Sequence, residues 1–263
     1  MAVDADNTTL GVTSPHGDVH DLGAVTMMAW VNFDTTAGHG GILGINYSTL
    51  VSQKLLGLYY TGSFSYLMLS VAYTGTSSVS LASSPSTGSW HHVCGAWSDA
   101  LDSGRCHVFV DGSDETIPIY VPTGTPSPDG GPVFAASALY PAQYWMDGRL
   151  ADAAIFGRRL EDDEITAVAA GRLRANHLDP VWHVTLEGED GVAGVGDIGL
   201  RDTTGRGSDI DSIMNAPDYV RDPPLHWPVE AALAPWGGWV TRNSRPTMNV
   251  VPGSKLATMR RAL

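Results

Sequence analysis

Glycine and proline punctuate this chain so densely that long helices are excluded. Thirty glycines and sixteen prolines make up about 17% of the sequence, against an average near 12%, and they interrupt nearly every window of helical length. An interior Gly costs a helix about 1 kcal/mol and an interior Pro about 3, so a coiled coil and a helical bundle are both ruled out. Hydrophobic residues reach 43% and charged residues only 16%, the reverse of what a disordered chain carries. What remains is a turn-rich, all-β globular protein, with 263 residues to build one large domain or two small ones.

Strand-like segments recur at short spacing with turn signals between them, the pattern of a sandwich or jelly roll. Residues 25–33 alternate, with Met28, Trp30 and Asn32 on one face and Val25, Met27, Ala29, Val31 and Phe33 on the other. Further strands are expected at 41–46, 55–61, 65–72, 77–82, 90–98, 105–111, 115–121, near Val133, at 147–156 and at 181–187. One helix is expected at 161–170, with four acids in its first turn, Gly171 as its stop and Ile165, Val168 and Ala169 as its buried stripe. The two cysteines provide no disulfide scaffold. If the hairpin turns at Leu101-Asp102, Cys94 opposes Phe109 and Cys106 opposes Trp97, which sends the thiols to opposite faces as buried free cysteines.

Charge is divided unevenly along the chain. The formal net charge is −13; residues 1–222 carry 27 acidic and 10 basic side chains, whereas 223–263 carry one acid and five bases. A body of net −17 repels nucleic acid and anionic membrane. The basic, Pro-rich end, with Trp227, Trp236, Trp239, Arg242 and Arg245, reads as a C-terminal extended arm for binding a partner, separate from a domain at 1–222. Two destinations stay open for it: a neighbouring copy or acidic scaffold, or its own sandwich. The first residues lack the basic start and apolar core of a signal peptide, and no apolar run approaches the roughly 20 residues of a membrane span. The expectation is a protein kept in the cytosol or released with a virion, without membrane insertion.

Three stretches occur in order: Val25-Thr-Met-Met-Ala-Trp-Val-Asn-Phe33; Gly88-Ser-Trp-His-His-Val-Cys-Gly-Ala-Trp97 with Cys106-His-Val-Phe-Val-Asp-Gly112; and Met146-Asp-Gly-Arg-Leu-Ala-Asp-Ala-Ala-Ile-Phe-Gly-Arg-Arg-Leu-Glu-Asp-Asp-Glu-Ile165. Together they resemble the laminin-G-like, concanavalin A-like lectin/glucanase superfamily over roughly residues 5–175. The resemblance implies a two-sheet antiparallel β-sandwich, a concanavalin A-like jelly roll with one short α-helix. Within it Asp111-Gly112 suits a tight hairpin turn, and Gly148 lets the backbone pass close to a neighbour. Related domains often bind Ca²⁺ at a sandwich rim, which makes Asp18, Asp21, Asp147 and Asp152 the candidate ligands. Lectin sites stack sugars on aromatic rings, which makes Tyr60, Tyr144 and Trp145 the candidate platform, against the alternative of sandwich packing.

Other chemistry finds less support. The glucanase motif Glu-x-Asp-x-Glu is absent; Glu187 and Glu189 approach it only within a Gly-rich turn. A G-x-S-x-G elbow and a phosphate loop are absent as well. His16, Asp18 and His20 would share a face if extended, a pattern suited to a transition metal. The adjacent His91 and His92 must point to opposite faces and read as structural. The leading functional reading is a non-catalytic structural or interaction protein, a virion surface subunit (capsid decoration or tail-associated) that binds other capsid or tail proteins and host glycans. The segment Asp202-Thr-Thr-Gly-Arg-Gly-Ser-Asp209 resembles segments of laminin-G-like virion proteins. A soluble carbohydrate-binding module is the alternative, and a glycoside hydrolase the minor one.

Overall fold

In the computed structural model, residues 2–4, 9–12, 15, 17–36, 39–45, 56–61, 66–126, 132–139, 143–186, 191–192, 200–214 and 218–220 are described. The alternating strand expected at 25–33 is β3 (Ala24–Phe33), and it is paired along both edges. On one side β8 (Trp90–Ser98) runs from Ala24↔Ser98 to Asn32↔Trp90 without a slip. On the other, β15 (Gly148–Phe156) pairs with a bulge between Ala151 and Ala154. This antiparallel sheet continues past β8 with β9 (Cys106–Val110) and β10 (Ser113–Asp114). Past β15 it continues with β1 (Ala2–Asp4), β19 (Asp218–Val220) and β17 (Gly191–Val192), while β16 (Trp182–Val184) also pairs with β15.

A second antiparallel sheet packs against the first. Its order is β11 (Ile117–Tyr120), β7 (Ser78–Ser83), β6 (Tyr66–Val71), β5 (Leu56–Thr61), β4 (His39–Ile45), β12 (Val133–Ala135), β2 (Thr9–Val12) and β18 (Ser212–Met214). A small hairpin, β13 (Ser137–Leu139) with β14 (Gln143–Trp145), pairs with neither sheet and lies against β4. The architecture is the expected two-sheet antiparallel sandwich.

The faces of β3 divide as its alternation requires. Val25, Met27, Ala29, Val31 and Phe33 enter the core between the sheets, where Phe33 meets Tyr60 edge-on with ring centroids 5.1 Å apart. Met28 belongs to an outer layer with Cys94, Phe109, Ala154 and Phe156, covered by Ile165 and Val168 of α1 (Asp162–Ala169). Burying a side chain of this size contributes roughly 1.5–3 kcal/mol, so a one-residue slip of β3 would forfeit both layers at once. Cys94 pairs with Phe109 and Cys106 with Trp97. The first thiol lies in the outer layer and the second between the sheets, both free and buried.

The helix is held from three directions. The Glu161 amide donates to Glu164 Oε2 at 2.9 Å, and Arg158 grips the same carboxylate through two bonds of 2.7 and 2.8 Å. Buried Thr26 ties the approach to the helix down, accepting from the Leu160 amide and donating to the Arg158 carbonyl. Thr166 donates to the Gly112 carbonyl at 2.9 Å, which pins the helix to the turn between β9 and β10. That turn holds Asp111 at φ 51° and Gly112 at φ 82°, the left-handed pair that a tight hairpin demands.

Several expectations need correction. The strand expected at 115–121 shortens to β11 of the second sheet, because the chain has only just left β10 in the first. The crossing is fixed by Thr116, whose hydroxyl accepts from the Val108 amide while its own amide donates to Asp114 Oδ1. The strand expected at 181–187 shortens to Trp182–Val184, with Leu186 at φ 55° where no strand continues. The N-terminal strands β1 and β2 carry no alternating signature that would have announced them. The boundary expected near 222, and with it Trp227, Trp236, Trp239, Arg242 and Arg245, lies outside the described residues. The chain divides into two units, Met1–Pro228 and Val229–Leu263.

Gly148 sits where β15 enters beside β3, at φ 140°, and a Cβ there would lie 2.2 Å from the Asn32 carbonyl oxygen. Gly88 is also left-handed, at φ 74°, but a Cβ there would meet nothing within 4 Å. Gly148→Ala should therefore destabilise by about 3 kcal/mol or more through backbone displacement, and Gly88→Ala by only about 1 kcal/mol. Equal losses in urea unfolding of the two variants would show that the close approach at Gly148 is not what holds this strand pair together.

Candidate functional site

A cluster of polar residues comes together where β16 meets β15. The bulge in β15 places Asp152 at φ 50°, and its amide donates to the Thr185 carbonyl at 3.0 Å. Its carboxylate meets His183 of β16: Nε2–H donates to Asp152 Oδ1 at 2.7 Å. A neutral ring in that tautomer leaves Nδ1 to accept from the Thr203 hydroxyl, 2.5 Å away. The His183 side chain is 1% exposed and that of Asp152 11%. The carboxylate and the imidazole are thus nearly shut off from water, and the series ends on the hydroxyl of exposed Thr203.

Thr203 belongs to the segment 202–209, and the aspartates at its ends account for its shape. Asp202 collects the Thr204 amide at 3.0 Å, the Thr204 hydroxyl at 2.7 and 2.8 Å, and the Ser208 amide at 3.3 Å. Asp209 Oδ1 accepts the Asp202 amide at 2.8 Å, closing the loop on itself. Gly205 and Gly207 take φ of 77° and 80° between them. Outward ties then fasten the loop to the sandwich: Trp182 Nε1 donates to the Ser208 carbonyl at 2.9 Å, and Arg206 reaches both the Pro180 carbonyl at 2.6 Å and Asp18 Oδ2 at 3.0 Å. The Asp-rich motif is a self-bonded strap over the β15–β16 edge.

The four candidate calcium ligands are not gathered. Asp152 is engaged by His183 and Asp18 by Arg206. Asp147 lies at the start of β15, its amide donating to Tyr60 Oη at 3.3 Å and its carbonyl accepting from the Asp34 amide at 3.1 Å. Asp21 occupies a left-handed turn at φ 51°. Among the described residues no three His, Cys, Asp or Glu side chains converge as a metal site would require. The extended form that would align His16, Asp18 and His20 is not adopted, because Gly17–Val19 form a turn of 3₁₀ helix; His16 itself lies outside the described residues.

The aromatic candidates separate too. Tyr60 is 3% exposed and packs on Phe33 between the sheets, so it offers no ring face to a sugar. Trp145 is half-buried with its indole N–H lacking a partner. The backbone of Tyr144 is part of β14, while its side chain, together with Glu187 and Glu189, lies outside the described residues.

His92 and His91 do face opposite ways. His92 lies on the outer face of the first sheet, 1% exposed, with its ring edge-on to Trp30 at 5.4 Å. Neither ring nitrogen has a hydrogen-bond partner. Burial pushes its pKa down to about 4, against the opposing charges of Asp152 and Asp111.

Residues 6–166 match the family model described as the concanavalin A-like lectin/glucanases superfamily. Among curated proteins nothing matches the sequence. Among solved structures, a candidate carbohydrate binding protein from Bacteroides ovatus aligns at 15% identity and TM-score 0.59, over 86% of this chain and 61% of that one. A heptameric SAP-like pentraxin from Limulus polyphemus aligns at 20% identity and TM-score 0.47, over 64% of this chain and 78% of that one. A sialidase from Trypanosoma rangeli aligns at 20% identity and TM-score 0.43, over 57% of this chain but only 23% of the enzyme.

The pH dependence of stability reports on His92. A histidine whose pKa is lower folded than unfolded binds more protons when unfolded, so stability falls as pH drops below the unfolded value near 6.5. With the folded value at about 4, lowering the pH from 7 to 4.5 should remove about 2.5 kcal/mol through this group. His92→Leu should abolish that share of the slope in urea unfolding. Parallel losses in the wild type and the variant would mean that the ring is not held neutral.

Proposed function

Since the chain belongs to the concanavalin A-like lectin/glucanase superfamily, we propose that it works as a carbohydrate-binding module that recognises a glycan without cleaving its backbone. The observation that carries this reading is the family match over residues 6–166. The likeness to the Bacteroides ovatus protein, itself a candidate carbohydrate binding protein, extends to 86% of the chain. The sequence supplies the second half of the reading. Retaining hydrolysis needs two carboxyls about 5–5.5 Å apart, and the strand motif that provides them in glucanases is missing. The hairpin of Tyr144 and Trp145 is the proposed stacking surface, since Trp145 is only half-buried and an indole ring can stack on a sugar.

A second reading makes the same sandwich a subunit of a larger assembly, a bacteriophage virion in particular, with the basic arm at 223–263 reaching an acidic neighbour. It is supported by the charge division along the sequence and by the Asp202–Asp209 motif.

The intact chain should be retained by at least one glycan class on an array, with dissociation constants of about micromolar, and Trp145→Ala should weaken that retention about tenfold or more. No reducing sugar should be released from any retained polysaccharide. Absence of retention by every glycan would overturn the carbohydrate reading, and sustained release of sugar would overturn its non-catalytic half.

A further inference from the structure

Ser86 from the loop before β8, His91 of β8 itself and Asp111 from the β9–β10 turn meet at the start of β8. His91 Nδ1–H donates to Asp111 Oδ2 at 2.7 Å. The same ring then presents a bare Nε2, and this atom lies 2.9 Å from Ser86 Oγ. The order of atoms is therefore carboxylate, Nδ1, Nε2, hydroxyl, which is the order that lets a histidine accept a proton from a serine.

Each member is held in place. Asp111 sits at φ 51° in the β9–β10 turn; its Oδ1 accepts the His92 amide at 2.9 Å, and its own amide donates to the His92 carbonyl at 2.8 Å. Partial burial pushes the Asp111 carboxyl up, but the bonds from His91 and from the His92 amide outweigh it and leave it below the ordinary value. The loop bearing Ser86 is anchored by buried Pro85 and by the Gly88 amide, which donates to the Phe33 carbonyl at 2.8 Å. The His91 side chain is 15% exposed, between an Asp111 side chain that is 52% exposed and a Ser86 open to solvent.

We infer that Ser86, His91 and Asp111 form an acyl-accepting triad, in which Ser86 is the nucleophile, His91 the general base and Asp111 the residue that positions the ring. Its substrate class is the ester of an accessible acyl group. Ser86 Oγ adds to the ester carbonyl carbon as its proton passes to His91 Nε2. The carbon–oxygen bond to the alcohol then breaks, the alcohol leaves with that proton, and the acyl group remains on Ser86 until water takes it by the same steps. The chemistry concerns ester bonds, so it goes beyond glycan recognition and stands or falls independently of it.

A fluorophosphonate probe, which traps activated serines, tests this on the intact chain with peptide mapping by mass spectrometry. Ser86 should be labelled at least about 100-fold faster than Ser113, another exposed serine. Ser86→Ala should lose the label, and His91→Ala should slow labelling by about 100-fold. Asp111→Asn, which suits the same left-handed turn, should lower the limiting rate while leaving the half-saturating probe concentration unchanged. Labelling of Ser86 no faster than Ser113 in the wild type would overturn the proposal without recourse to any variant. Labelling undiminished in folded His91→Ala would overturn it as well.

Discussion

The double pairing of β3 is the constraint on which the rest of this sandwich depends. With β8 on one edge and β15 on the other, the β3 side chains from Val25 to Phe33 are all buried, on one face or the other. The inward set fills the space against the second sheet, and Met28 on the outward set meets the layer that α1 covers. The position of the helix is thus a consequence of the strand. Its stripe of Ile165 and Val168 has one apolar patch to cover, and Thr26 on β3 fixes the segment that leads to it. Gly148 belongs to the same constraint, because β15 can reach β3 only if nothing projects toward the Asn32 carbonyl.

Two polar assemblies then occupy the margins of this frame. At the β15–β16 edge, Asp152, His183 and Thr203 bind the strap 202–209 to the sheet with nearly all of their polar atoms engaged. At the β8–β9 end, Asp111 and His91 make a similar series that ends on Ser86. Both series end on an exposed hydroxyl, Thr203 in the first and Ser86 in the second. They differ in the imidazole, whose side chain is 1% exposed at His183 and 15% exposed at His91.

The frame was legible in the sequence because alternation in 25–33 and the hairpin arithmetic of Cys94 and Cys106 both rest on a period of two, which the ladder preserves without slips. The site was less legible, for local reasons. At Asp152 the bulge shifts the parity of β15, so that Leu150, Ala153 and Ile155 face inward while Ala151, Ala154 and Phe156 face outward. Flanking alanines fit either face, so nothing in the composition betrays the shift. Asp152 and Asp18 read as free acids because their partners, His183 and Arg206, are distant in the chain. Tyr60 could not be told from a surface ring, since adjacent Tyr59 and Tyr60 alternate and either might have been the inward one. His91 hid behind the opposite requirement: its partner Asp111 was legible only as a turn residue, and Ser86 lies in a stretch with no periodicity.

Native-state hydrogen exchange tests most directly whether β3 carries the frame. Amides of Ala24–Phe33 and of the facing residues of β8 and β15 should exchange only through global unfolding, with the slowest rates in the sandwich. Those of the strap at 202–209 should open separately at lower free energy. Exchange of β3 by local opening, faster than that of the edge strands β11 or β18, would contradict the account, because the frame would then have to rest elsewhere.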